Sequence, residues 1–138
     1  MTQISREQLQ QLKDVLQSTP YIQYNGIKID TICMEEATMH LDMRHEYENP
    51  YGMAHGGLLF TLVDTTAGTT ARADGRKYVT LNANINYLRS GKGSGRIRSC
   101  GKVVHRGRTT TVVDVSVKDE EDQVLCTAVV TMFCISEH

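Results

Sequence analysis

The chain has 138 residues and carries 15 Lys and Arg against 16 Asp and Glu, so its formal charge is −1. This length is typical of a single domain, which we expect to span residues 1–138, and the 40% hydrophobic content is too high for an intrinsically disordered chain. The balanced charge, with no Trp and only two Phe, argues against a nucleic acid partner.

The amino terminus and the cysteines indicate a reducing compartment. Residues 1–19 lack the apolar segment of a secretory signal, and no apolar run approaches the ~18 residues that cross a bilayer. We therefore expect a cytoplasmic protein with no membrane partner. No two cysteines form a C-x-x-C pair, which disfavours a zinc knuckle or a redox motif, so we expect small buried side chains. The four are Cys33, Cys100, Cys126 and Cys134.

The first predicted element is a short amphipathic helix within about residues 4–18. Ser5 lies three residues before Gln8, which is the spacing of a capping box. Pro20 is expected to end the helix, because proline cannot continue the hydrogen-bond ladder, and extended segments should follow. The apolar residues that recur at helical spacing are Leu9, Leu12, Val15 and Leu16.

A half-buried strand, a loop and a long helix are predicted next. Residues 38–43 alternate between apolar and polar side chains, as a strand with one buried face does. Residues 44–54 contain Asn49-Pro50 and Gly52, which favour a loop. The segment Gly57 to Ala73 is too long and too apolar for a strand, and we predict a buried helix there.

Four alternating segments follow the long helix and are joined by connections of hairpin length. In the first, we expect Leu81, Ala83, Ile85 and Tyr87 on one face, and Thr80, Asn82, Asn84 and Asn86 on the other. This order of elements predicts an α+β fold, in which an antiparallel sheet of five or six strands wraps around one long central helix. The segments are Lys77 to Leu88, Arg96 to His105, Thr109 to Lys118 and Val124 to Ile135.

Two features of the long helix suggest chemistry. Asp64 lies in the middle of an apolar segment, where an ionised carboxylate is costly unless it is paired, hydrogen-bonded or used. It is either a structural aspartate satisfied by nearby hydroxyls or a carboxylate for nucleophilic or general-base work. Gly56 and Gly57 form either a plain turn into the helix or a place where a ligand oxygen approaches free backbone amides.

Helix geometry separates these two features within one chain. Asp64 lies seven positions after Gly57, or roughly 10 Å further along the helix axis. Seven residues are also almost two turns, so Gly57, Thr61, Asp64 and Gly68 share a face of small side chains. A twofold dimer packed on that face would place the helix start of one subunit opposite the carboxylate of the other.

The loop and helix resemble those of the hotdog-fold thioesterases, in the PaaI-like branch of phenylacetate-pathway enzymes. The resemblance spans about residues 27–135 and is carried by Asn49, a short Gly-containing loop, His55-Gly56-Gly57, and Asp64 seven residues after the second glycine. It implies a hotdog fold, hydrolysis of acyl-coenzyme A thioesters, and a homodimer that associates further into a dimer of dimers. Coenzyme A would be part of the substrate, with no cofactor or metal.

The resemblance also implies a role for each site residue. Asp64 corresponds to the acid that attacks the thioester carbonyl or activates water, and Gly57 would supply the backbone N–H that polarises the carbonyl. Asn49 would lie across the dimer from Asp64 and orient the water or the thioester. Thr80 matches a hydroxyl position near the acid, and His55 would fix the loop or contact the carbonyl.

Basic turns are the candidates for the coenzyme A phosphates, because Gly-containing turns with Arg or Lys nearby suit phosphate oxygens. A solvated turn is the competing interpretation for each of them. The candidates are Arg89 and Ser90 in one turn and His105, Arg106, Gly107 and Arg108 in another.

Other functions remain as alternatives. A non-catalytic module that binds acyl-coenzyme A could use the same fold, although a pure binder has no need of a buried acid. Hotdog dehydratases place a histidine near the acid, whereas the corresponding residue here is Thr69. An acyl-carrier-protein thioester would require a docking face that the sequence does not indicate. The acidic and histidine residues at 40–48 match no metal-binding motif and are interpreted as a solvated surface.

Overall fold

Two helices begin the chain in the computed structural model, which describes residues 1–136. Helix α1 spans Arg6–Ser18, and the Ser5 hydroxyl accepts a 3.1 Å hydrogen bond from the Gln8 amide, as the capping spacing predicts. Its buried residues, Leu12 and Leu16, lie one turn apart. This helix therefore has one face packed against the rest of the fold.

The segment after α1 corrects the prediction that extended structure follows Pro20. Pro20 instead begins helix α2, Pro20–Asn25, with proline at its first turn. Proline is tolerated there because the first amides of a helix have no partner within the helix. Gly26, at φ 64°, ends the helix in the left-handed region that glycine adopts without strain.

Within residues 1–136, six strands form one antiparallel sheet in the order β1-β2-β4-β5-β6-β3, which confirms the predicted fold class. The last strand of the chain, β6, lies between β5 and β3, whereas β1 and β3 lie at the edges. The strands are β1 Lys28–Ile32, β2 Glu36–Asp42, β3 Tyr78–Tyr87, β4 Arg96–Arg106, β5 Thr110–Lys118 and β6 Val124–Cys134.

The long helix α3, Gly56–Arg72, packs across the sheet, and its apolar residues form the hydrophobic core together with those of the strands. Leu62, Val63 and Ala67 are fully buried against the sheet. A side chain at Gly101 of β4 would collide with the Thr70 hydroxyl, so the helix approaches that strand more closely than any other residue allows. In residues 1–136, no helix is long and apolar enough to span a membrane.

A β-bulge in β3 corrects the predicted placement of Thr80. The register with β6 shifts between Thr80 and Asn82, so that Thr80 pairs with Met132. Met132 is buried, and directly paired residues share a face, so Thr80 points toward the helix rather than outward with the asparagines. The bulge therefore brings a hydroxyl to the same side of the sheet as Asp64.

Three of the four cysteines match the sequence expectation. Cys33, Cys126 and Cys134 are buried, and Cys100 is partly buried. Burial raises the pKa of Cys126 to about 11, so this thiol stays protonated at neutral pH.

Candidate functional site

Asp64 and Thr80 form the centre of a cavity of about 490 Å³ along the exposed side of α3. The Thr80 hydroxyl donates a 2.5 Å hydrogen bond to Oδ1 of Asp64. No other hydrogen bond or ion pair to this carboxylate is present within residues 1–136, so Oδ2 is available to water or a ligand. The site thus holds the carboxylate through one oxygen and leaves the other without a partner among the described residues.

The walls of this cavity combine apolar and aromatic side chains with a small number of polar groups, which is typical of a site for a small molecule. The Tyr21 hydroxyl lies 2.8 Å from that of Thr61, which joins α2 to α3 at one wall. Besides Asp64 and Thr80, the lining includes Tyr21, Ile22, Phe60, Arg72, Tyr78 and Met132.

Arg72 is a residue of this cavity that the sequence analysis missed. It lies eight residues after Asp64, with Gly68 midway, and therefore on the same helix face. Burial lowers the pKa of Arg72, while the charge of Asp64 opposes that shift. Its sequence signal is the helical spacing itself, because Arg72 lies one turn beyond Gly68 on the face that also carries Asp64.

The other predicted site residues of this region, His55 and Gly57, lie at the start of α3, and the Gly57 amide already has a hydrogen-bond acceptor. His55 caps the helix, and its Nδ1 accepts a 2.8 Å hydrogen bond from the Gly57 amide. The Tyr87 hydroxyl donates to the carbonyl of Gly56 at 2.8 Å, which fixes the helix start to β3. An oxyanion role for the Gly57 amide therefore requires the imidazole to turn away or to share this donor.

Asn49 organises the loop before α3. Its Oδ1 accepts hydrogen bonds from the backbone amides of Tyr51 and Met53 at 2.9 and 3.0 Å. This arrangement uses the acceptor end of the side chain and leaves the Nδ2 amide as the donor. The residue therefore shapes the loop and can still donate a hydrogen bond to a ligand.

A second cavity, of about 280 Å³, lies at the start of α3 and holds one of the two predicted phosphate turns. Asn49 and Gly56 line it together with Arg89 and Ser90 from the turn after β3. Both turn residues are exposed. The structure thus places a cation and a hydroxyl within a cavity beside the first amides of a helix, where partial positive charge favours anions.

The other predicted turn, His105 to Arg108, is used for structure. The Arg106 guanidinium donates to the carbonyls of Ala71 and Met34 at 2.8 and 2.7 Å, and it lies 2.7 Å from Oδ2 of Asp74. We therefore correct its assignment from a phosphate ligand to a cap for the carboxyl end of α3.

The backbone of the same turn is also engaged. The Gly107 amide donates to the carbonyl of Thr110 at 2.8 Å. The carbonyls of Gly107 and Arg108 accept hydrogen bonds from Arg76 at 2.9 and 2.8 Å. Only the side chains of His105 and Arg108 remain exposed as candidates in this turn.

Within one chain, the predicted site residues fall into two groups. Asp64 and Thr80 line the cavity along α3, whereas Asn49 lines the cavity at its start. The helix between the two phosphate turns has 17 residues, or about 25 Å of length, so both turns cannot hold one phosphate in a single chain. Within a single chain, these residues do not line one common cavity.

The acidic and histidine residues between 40 and 48 are paired with protein groups. His40 lies 2.7 Å from Asp30, and His45 lies 3.0 Å from Glu48. Asp42 accepts from Arg96, which lowers the pKa of that aspartate. In the part of the chain that the structure describes, no three His, Cys, Asp or Glu side chains are grouped to hold a metal ion.

Comparison with known sequences gives a family match and close relatives. Residues 51–126 match the model of the thioesterase superfamily. The 1,4-dihydroxy-2-naphthoyl-CoA hydrolase of Escherichia coli is 32% identical over 113 residues, which cover 80% of this chain and 79% of that protein. The acyl-coenzyme A thioesterase PaaI of the same organism is 27% identical over 71% of each chain.

Comparison with solved structures agrees in fold. A hypothetical thioesterase protein of Streptococcus pneumoniae, solved with coenzyme A, has a TM-score of 0.77 and 36% identity over 81% of this chain and 88% of that one. The PaaI structure has a TM-score of 0.91 at 21% identity and covers 97% of each chain. Alanine variants of the streptococcal protein at an aspartate and a threonine have also been solved. Those two positions are 16 residues apart, as are Asp64 and Thr80.

Proposed function

The chain belongs to the thioesterase superfamily, as its resemblance to PaaI-like hotdog enzymes predicted, and is a thioester hydrolase. From that premise we propose that it hydrolyses acyl- or aryl-coenzyme A thioesters to a free acid and coenzyme A, at a site shared by two copies of the chain. The observation that carries the proposal is the Asp64 carboxylate, held by Thr80 in a cavity with its second oxygen open.

Asp64 performs the central step by one of two routes. Its free oxygen attacks the thioester carbonyl carbon, or it removes a proton from a water molecule that attacks there. In both routes the carbonyl oxygen takes the negative charge, the C–S bond then breaks, and coenzyme A leaves as a thiolate. The general-base route gives the free acid directly, whereas the nucleophilic route leaves a mixed anhydride on Asp64, which water then hydrolyses to the free acid. A thiolate is a good leaving group, so the reaction needs no strong general acid and no resident metal or prosthetic group.

The Gly57 amide of the second copy stabilises the charge on the carbonyl oxygen. An amide at a helix start suits this role because it lacks a partner within the helix and carries partial positive charge. His55 holds that amide in the free protein, so the arriving carbonyl replaces the imidazole as acceptor. His55 thus keeps the helix start ordered until substrate binds.

Two features support a twofold dimer as the catalytically active unit. Asn49 and Asp64 line different cavities of one chain, and the proposal therefore brings this pair together between two copies. Strand β3 lies at the sheet edge, is ten residues long, and exposes Val79 and Leu81 at 48% and 62%. Such an edge favours pairing with another strand. Association of two dimers into a tetramer is part of the same proposal.

Arg89 and Ser90 are the residues that we assign to the coenzyme A phosphates. They line the cavity at the start of α3 and are exposed. His105 and Arg108 are retained as candidates from the neighbouring copy, since their side chains are exposed. A guanidinium offers two parallel hydrogen bonds to phosphate oxygens, which suits this role.

The first experiment measures thiol release from a panel of acyl- and aryl-coenzyme A esters. We expect turnover with at least one ester of the panel. Binding of coenzyme A esters without release of thiol would instead support the non-catalytic module. The measurement also orders the esters by kcat/KM, which identifies the acyl group that fits the cavity.

A second experiment tests whether the site is shared. Asn49→Asp keeps an oxygen that accepts from Tyr51 and Met53 but removes the Nδ2 donor, so the loop is retained. We expect Asn49→Asp and Asp64→Asn each to lose activity. When the two variants are mixed 1:1, unfolded together and refolded, we expect the mixture to regain part of the activity. Random pairing gives about a quarter of the wild-type sites. A mixture no more active than its components would contradict the shared site.

A further inference from the structure

Three arginines lie near the carboxyl end of α3, and two of them share one carboxylate. Arg76 Nε and Arg106 Nη1 lie 2.9 and 2.7 Å from Oδ2 of Asp74. For Arg72, no carboxylate oxygen of residues 1–136 lies within the 4.0 Å of an ion pair. Arg76 and Arg106 therefore share an acid within the fold, whereas Arg72 has no carboxylate partner among residues 1–136.

The Arg72 guanidinium lies over Gly68, one turn back along the helix. Its Nη2 and Nη1 are 3.4 and 3.5 Å from the point that a Cβ on Gly68 would occupy, and Met132 Cε is 3.5 Å from the same point. The absence of a side chain at Gly68 makes room for it. The cation is thus partly buried against apolar atoms and lines the cavity of Asp64.

The usual structural role of a cation in the last turn of a helix is already filled. Such a residue binds the terminal carbonyls of its helix. Here Arg106 donates to the carbonyls of Ala71 and Thr70 at 2.8 and 3.3 Å. Arg72 instead points back toward the reacting carboxylate, into a cavity where a substrate would bind.

We propose that Arg72 is a specificity-determining residue that binds a carboxylate, or a comparable anionic oxygen, on the acyl group of the substrate. This inference rests on the proposed thioesterase function. The coenzyme A phosphates are separated from the thioester by the pantetheine arm, so a cation beside the acid contacts the acyl part. Planar guanidinium groups bind carboxylates through two parallel hydrogen bonds.

Electrostatics gives a second reason for an anionic acyl group. The negative charge of Asp64 opposes the approach of any other anion to the cavity. A cation on the same helix face offsets that repulsion, and its attraction is strengthened where burial excludes water. Arg72 therefore makes the cavity more favourable to an anionic acyl group than Asp64 alone would.

The reach of the side chain sets the length of the acyl group. Eight residues separate Asp64 and Arg72, or about 12 Å along the axis, and the guanidinium turns back by about one helical turn of ~5.4 Å. The remaining ~7 Å is close to the span of a benzene ring that carries a carboxylate opposite the thioester. The aromatic walls at Tyr21 and Phe60 suit such a ring.

The test uses two esters of matched shape, 4-carboxybenzoyl-coenzyme A and 4-methylbenzoyl-coenzyme A. For the wild-type protein we expect kcat/KM to be about tenfold or more higher for the carboxyl ester, as hydrogen bonds to charged groups suggest. In Arg72→Gln we expect that preference to disappear while kcat/KM for the methyl ester stays within about twofold. A pair of flexible esters, glutaryl- and pentanoyl-coenzyme A, checks that the effect follows the charge.

Two controls separate specificity from general damage. Arg98→Gln removes one positive charge from an exposed residue of β4 outside this cavity and should leave the ratio unchanged. Arg72→Lys retains the charge without the planar fork and should keep part of the preference. Equal kcat/KM for both esters in the wild-type protein, or an equal fall for both in Arg72→Gln, would overturn the proposal.

Failure of the proposed function is recognised separately. If no ester of any kind releases thiol, the hydrolase assignment of this site fails. Calorimetric binding of the two benzoyl esters to the Asp64→Asn protein then still tests Arg72, because it measures affinity without turnover. About tenfold tighter binding of the carboxyl ester that Arg72→Gln abolishes would support the anionic subsite, and equal affinities would refute it.

Discussion

Asp64 and Asp74 are ten residues apart in the sequence and have opposite surroundings. Asp74 lies just beyond the end of α3, and its side chain is only 9% exposed. It accepts hydrogen bonds from Tyr78, Arg76 and Arg106 at 2.6, 2.9 and 2.7 Å. Asp64 is bonded only by Thr80 within the described residues and lines an open cavity.

This difference separates a carboxylate used for structure from one available for chemistry. Burial alone would raise the pKa of Asp74, but its hydrogen bonds with Tyr78 and Arg76 and the nearby charge of Arg106 outweigh burial and lower it. All of its bonding capacity serves the fold. Asp64 is held in orientation by one hydroxyl, and its other oxygen has no protein partner within residues 1–136, as the proposed nucleophile or general base requires.

The largest expected effect is on catalysis, from Asp64→Asn. This variant keeps the size of the side chain and removes the basic oxygen, so we expect kcat to fall about 10³-fold or more. Thiol release with the best ester of the panel measures it. Because no ion pair within residues 1–136 is broken, the melting temperature should change far less than in Asp74→Asn.

Wild-type turnover in Asp64→Asn would exclude the carboxylate from the reaction. A parallel fall in melting temperature would instead indicate that Asp64 stabilises the fold, as Asp74 does. Thermal unfolding of Asp64→Asn and of the wild type, followed by circular dichroism alongside the activity assay, distinguishes these outcomes.

The second effect is on stability, from Asp74→Asn. This change leaves the Arg76 and Arg106 cations in a partly buried site without their shared anion, and breaking such a pair destabilises by about 3–5 kcal/mol. Urea unfolding monitored by circular dichroism measures the loss. At a temperature where the variant is still folded, its kcat should remain close to that of the wild type, which is the reverse of the Asp64→Asn result.

The position of Asp64 was predictable from sequence because it depends on local pattern alone. An acid within a long apolar helix, seven residues after a pair of glycines, is visible in the order of residues. The helix bounds, the sheet and the capping by Ser5 follow from the same kind of periodicity. These features need no knowledge of which elements meet in space.

Two features of the site were not predictable in this way. The bulge after Thr80 adds one residue to a strand whose alternation looks unbroken, yet it moves Thr80 to the opposite face. The role of Arg106 depends on Asp74, which is 32 residues away and is brought near only by the packing of α3 on the sheet. Both depend on tertiary packing rather than on local pattern.

Substitutions of Thr80 therefore test whether Asp64 must be held in one orientation for catalysis. Thr80→Ala removes the only described hydrogen bond to Asp64, so the carboxylate loses its fixed orientation, and we expect kcat to fall about tenfold. Thr80→Ser keeps the hydroxyl and should retain most of the activity. Equal activity of the Ala and Ser variants would show that this hydrogen bond does not position the acid.

The smallest expected effect is a pH dependence of the stability difference between wild type and Asp74→Asn. Its pKa is lowered in the folded protein, so its contribution is complete above the ordinary value of about 3.9 and is lost as the pH falls through the lower folded value. The difference in unfolding free energy between wild type and Asp74→Asn should therefore shrink below about pH 4. The difference between wild type and Asp64→Asn, measured in the same urea series, provides the comparison. A gap for Asp74→Asn that stays constant down to pH 2.5 would mean that the network acts through shape and neutral hydrogen bonds rather than through the ionised carboxylate.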